Sequence, residues 1–95
     1  MGDIIWGNGS AALSNNTFVL NVTHRKNENK NNYTDSEKII ITSAELPGMP
    51  HDISDWTKEL LDASVAGAFL KCEVKGRNES GTLLGKVSHS GAGGY

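Results

Sequence analysis

The chain has 95 residues, of which 37% are apolar and 21% charged, and its formal net charge is −2. That length gives one domain, residues 1–95, built around one core, and leaves no room for a second. A negative net charge offers no long-range pull on nucleic acid or an anionic membrane, so any such contact has to come from a local patch.

The one cysteine, Cys72, excludes an internal disulfide and a zinc cluster. Met1 leads directly into "GDIIWGNG" without the basic segment and apolar run of a signal peptide. Trp6 stands where a myristoylation motif wants Ser or Thr. No apolar stretch approaches the ~20 residues needed to span a bilayer. The expected location is the cytoplasm, with no membrane partner. Nine asparagines, and seven lysines against two arginines, match the usage of AT-rich bacterial and viral coding sequences. If the chain is viral, the host cytoplasm is the expected compartment.

In chain order, "DIIW" is the first expected strand. "GNG" reads as a tight turn after it, with "SAAL" as an optional short return strand near residues 10–14. "TFVLNVTH" is a strand with Phe18, Leu20 and Val22 on one face. "EKIIITSAEL" is a third, because β-branched isoleucines lose χ1 freedom in a helix. Between them lies "HRKNENKNNYTDSEK", with four asparagines and no aliphatic residue. It reads as a mobile polar loop over 25–36.

"LPGMP" breaks the chain, with Pro47-Gly48 suited to the centre of a type II turn. A helix is expected near 54–66, capped by Asp52 or Ser54, with Ile53, Trp56, Leu60 and Ala63 on its buried face and Gly67 as its stop. "AFLKCEVKG" and "TLLGKVSH" alternate strictly and read as a hairpin over 68–89, joined by "GRNESG". The glycine-rich tail at 90–95 has no periodicity.

These elements place the chain in the α+β class, in the order β-β-β-α-β-β. That describes a small five-stranded, mainly antiparallel sheet or a partly open barrel. By element order alone the chain resembles the OB-fold barrels. A helix laid on an open antiparallel sheet satisfies the same order.

Chemistry is sparse. Cys72 falls on the apolar side of its strand, where a free thiol behaves as a small hydrophobe. No serine sits in a Gly-x-Ser-x-Gly elbow, and His24, His51 and His89 are too far apart for local metal-ligand spacing. "HDISD" reads as a turn and helix cap before it reads as a metal site. No catalytic residue, metal or cofactor is expected. The reading is therefore a non-enzymatic binding protein. Its composition suits a phage- or virus-encoded inhibitor that covers a host protein surface or sequesters a small anionic, nucleotide-like ligand.

The candidate contacts are Trp6 and Tyr95 for stacking, Asn8 and Gly9 for backbone and amide contacts, and Arg25, Lys26 and Tyr33 in the polar connection. Acidic Glu28, Asp35 and Glu37 cancel most of the charge of that connection. An OB-like module for single-stranded nucleic acid is the alternative, less favoured by the charge. A virion or assembly protein forming homo-oligomers is the third.

Overall fold

A computed structural model describes residues 3–46 and 48–90. Five strands form one sheet that closes on itself: β1 (Asp3–Ala12), β2 (Thr17–Arg25), β3 (Ser36–Glu45), β4 (Phe69–Arg77) and β5 (Leu83–His89). The order around the barrel is β1-β2-β3-β5-β4, with β4 returning to pair with β1. All pairings are antiparallel except β3 with β5. Closure leaves no open sheet for a helix to cover, so the barrel alternative is the one adopted.

The alternation seen in the sequence places the core. Phe18 and Leu20 of β2, Ile39 and Ile41 of β3, Leu70 and Cys72 of β4, and Leu83 and Val87 of β5 all point inward and are buried. The hairpin expected over 68–89 is present as β4 and β5, closed by an Asn78–Thr82 backbone bond.

The first strand differs from expectation. "GNG" is not a turn, and "SAAL" is not a separate strand. Asp3–Ala12 runs as one ten-residue strand, with register shifts after Trp6 and after Gly9. Each shift adds local twist, letting one strand pair with β2 and β4 at once as the barrel curves. Gly9 is needed for close approach. A Cβ there would lie 2.0 Å from the Val65 carbonyl oxygen. The Gly9 amide donates to Ala68 O, and its carbonyl accepts from Gly67 N.

The helical region also differs in phase. Ile53–Asp55 forms a short 3-10 turn, and α1 occupies Lys58–Val65. Asp52 makes no side-chain cap; Thr57 caps α1 instead, its hydroxyl accepting from Leu60 N at 3.1 Å. Trp56 sits between the two in an extended conformation, so the periodicity does not carry across it. The buried helix residues are consequently Leu61 and Val65, and Leu60 is exposed. Gly67 has φ +75°, which suits the expected stop. The "LPGM" turn closes with Met49 N donating to Leu46 O, and Gly48 has φ +82°. Pro47 is outside the described residues.

Candidate functional site: the outer face of β2, β1 and β4

Three of the six aromatic residues are buried: Phe18, Tyr33 and Trp56. Tyr95 lies outside the described residues. The remaining two, Trp6 and Phe69, sit at outward positions on adjacent strands. Trp6 pairs across β1–β2 with His24 and across β1–β4 with Lys71; Asn8 pairs with Asn21 and Phe69. His24 and Phe69 meet edge to face, with ring centroids 6.0 Å apart and planes at 89°. The Thr23 hydroxyl lies 2.9 Å from His24 Nδ1, which restrains the imidazole. The result is a polar-aromatic face carrying Trp6, His24 and Phe69, with the amides of Asn8 and Asn21 and the ammonium of Lys71. His24 is exposed, and Trp6 and Phe69 are half-buried.

This face arises from strand parity and a bulge. Phe69 and Lys71 alternate outward against inward Leu70 and Cys72. On β2, the shift between Trp6 and Gly7 turns His24 to the outside beside Trp6. The sequence reading found Trp6 and Asn8 but missed His24, Phe69 and Lys71. A usable signal was the apolar Phe69 on the otherwise polar side of the "AFLKCEVKG" alternation.

The other candidate residues lie elsewhere. Gly9 is packed beneath the end of α1 with both backbone groups bonded, so its amide is not open to an anion. Arg25 ends β2, and Lys26 and Tyr33 belong to the connection 26–35, which folds over the end of the barrel where β1 begins. Arg25 donates through Nε to Tyr33 O and meets Asp35 at 2.9 Å. Lys26 lies 3.6 Å from Glu28. The Asn29 side chain donates to Ile4 O and accepts from Ile4 N, extending the strand ladder with an amide.

Asp3 organises the centre of this network. Its carboxylate accepts from Lys30 N, Asn31 N, Asn31 Nδ2 and the Tyr33 hydroxyl, the last at 2.7 Å. These donors, the Lys30 amide foremost and then the Tyr33 hydroxyl, lower the Asp3 carboxyl to about 2. Burial, followed by the bond to Asp3, pushes the Tyr33 hydroxyl up to about 12. Nearby Glu37 takes Arg77 at 3.1 Å and the Thr34 amide at 2.8 Å. Burial acts to raise the Glu37 carboxyl, but the Thr34 amide and the Arg77 guanidinium outweigh it and hold it below its ordinary value. The charges of the connection are thus spent largely within the molecule.

Cys72 is fully buried, and burial first, then the Glu73 charge, pushes its thiol up to about 12. At neutral pH it stays protonated and a poor nucleophile. Among the described residues no three His, Cys, Asp or Glu side chains cluster in a way that would hold a metal ion. No described helix is long and apolar enough to cross a membrane.

In comparisons with known proteins, no family model, curated protein or solved structure matches the chain.

Proposed function

We propose that the protein is a non-catalytic binding module whose outer β2–β1–β4 face takes a short single-stranded nucleic acid. The observation that carries this is the juxtaposition of Trp6, Phe69 and His24 with Lys71 and two amides on the outside of a closed barrel. Every base has a π-face, and stacking on an aromatic side chain contributes about 1–3 kcal/mol per base with little sequence preference. Asn8 and Asn21 add donors and acceptors for base edges or sugar hydroxyls.

The charge balance shapes the expected binding. With Lys71 as the cation in register with the rings, and Arg25 and Lys26 already facing acids, one or two phosphates are neutralised. Affinity then depends on salt with a log–log slope of about −0.7 to −1.4, shallow for a nucleic-acid binder. The chemistry of this face is therefore stacking first and phosphate second.

The test is fluorescence anisotropy with a labelled oligothymidylate, repeated over a salt series. Trp6→Ala or Phe69→Ala is expected to weaken binding by about 1–3 kcal/mol, with the fold checked by circular dichroism. Lys71→Ala is expected to flatten the salt slope. Full affinity for thymidine monophosphate would replace this reading by sequestration of a nucleotide-like ligand on the same rings. Binding unchanged in both ring variants would remove the face from consideration. A covered host protein surface, the remaining route to an inhibitor, predicts no oligonucleotide binding at all.

A further inference from the structure

The two edges of β3 end at different places. On the β2 side, strand pairing stops at Thr17–Ile40, and a final bond runs from Ile41 N to Asn16 O at 2.8 Å. On the β5 side, pairing continues to Glu45–Ser88. β3 therefore outruns β2 by four residues, Thr42–Glu45. Among the described residues, no backbone hydrogen bond joins that overhang to any segment other than β5. A strand edge left this way presents amides and carbonyls ready to pair with another extended chain.

Beside the overhang lies a groove of about 710 Å³ between β3 and the segment leading to α1. That volume is in the range that accommodates specific ligands. Leu46 and Trp56 are buried at its base, and partly buried Met49 and Ile53 pack against the same core. The Trp56 indole is held by donation to Pro50 O at 2.8 Å, so the aromatic base is fixed. Met49 brings an unbranched, adaptable side chain of the kind that suits a variable apolar guest.

The rim is acidic. Glu45 ends the strand and Asp52 stands on the opposite wall; both are exposed. His51 lines the same wall beside Asp52. Lys86 approaches Glu45 only at 3.7 Å, and Asp52 has no capping bond.

We propose that this edge and groove dock an extended basic peptide of a partner protein, added as a strand alongside Thr42–Glu45. Its backbone pairs with the overhang, one apolar side chain enters over Met49, Ile53 and Trp56, and a flanking Lys or Arg meets Glu45 and Asp52. Affinity comes from the ladder, and selectivity comes from the groove and the rim charge. The site is separate from the β2–β1–β4 face and does not depend on it.

The experiment uses the full chain, ¹⁵N-labelled, with peptides of about eight residues alternating valine with lysine, and a control set alternating valine with glutamate. The lysine peptide is expected to shift the amides of residues 42–46, 49 and 51–56, and the glutamate peptide to leave them in place. Exchanging Glu45→Lys and Asp52→Lys together is expected to weaken the lysine peptide about fivefold to tenfold. Both side chains are exposed, so the fold is retained. Equal binding of both peptides, shifts that map elsewhere, or no shifts would overturn the proposal. Shifts at the same amides that depend on protein concentration without peptide would also overturn it, making the edge a contact between copies of the chain.

Discussion

The two ends of the barrel are sealed by opposite chemistries. Where β1 finishes and β2 begins, α1 closes the end with Leu61 and Val65, both fully buried, seated over Gly9. Where β1 begins, the 26–35 connection closes it with Asp3, Asn29, Tyr33 and Arg25, through hydrogen bonds spanning 8 to 30 residues of sequence. The apolar seal rests mainly on area and shape, with Asp62 accepting from Ala12 N at 3.0 Å to tie α1 to the end of β1. The polar seal must satisfy each group it buries, since an unpaired buried donor or acceptor costs about 1–3 kcal/mol. An amide-rich, charge-balanced segment therefore serves as structure here, with Arg25, Lys26 and Tyr33 each held by a partner within the molecule.

The largest effect that sharpens this contrast is at the apolar end. Leu61→Ala is expected to cost about 3 kcal/mol, lowering Tm by roughly 12–24 °C. The deleted atoms carry no charge, so chemical denaturation should give the same loss across the pH range in which the protein folds.

The polar end is expected to behave otherwise. The Asp3 carboxyl is lowered from 3.8 to about 2 in the folded chain, so its contribution is complete above pH 4 and is lost as pH falls towards 2. Asp3→Asn should remove that acid-side slope. The Tyr33 hydroxyl is raised from 10.0 to about 12, so its contribution is complete below pH 10 and is lost as pH rises towards 12. Tyr33→Phe should abolish the late phase of tyrosinate absorbance and cost about 1.5 kcal/mol at neutral pH. An unchanged acid-side profile in Asp3→Asn would show that Asp3 contributes nothing to the polar seal through its charge.

The smallest effect tests the phase of α1. Leu60→Gln, on the exposed side, is expected to shift stability by less than about 0.5 kcal/mol. A loss comparable to that of Leu61→Ala would place Leu60 in the core and reverse the helix face.

Much of the fold was legible from residue order. Phe18, Leu20 and Val22 of β2, Leu70, Cys72 and Val74 of β4, and Leu83 and Val87 of β5 face inward as their alternation requires. Reading failed where local preference and global need diverged. Asn8-Gly9 has turn chemistry, yet it lies within β1 because the barrel brings α1 too close for a side chain at Gly9. Trp56 fits a helical period with Leu60, yet its extended backbone separates the 3-10 turn from α1 and resets the period at Thr57. Of the candidate face, Trp6 and Asn8 were visible as residue types. His24, Phe69 and Lys71 join them only through pairing between strands distant in sequence.

Periodicity and composition by themselves determined the class, the number of strands and the inward residues, because side-chain parity in a strand is a local property of the backbone. Only the tertiary structure decided closure into a barrel, which charges are spent in the Asp3 network, and which rings share an outer face. Those depend on register between strands and on contacts across dozens of residues, where no short-range pattern in the chain specifies the partner.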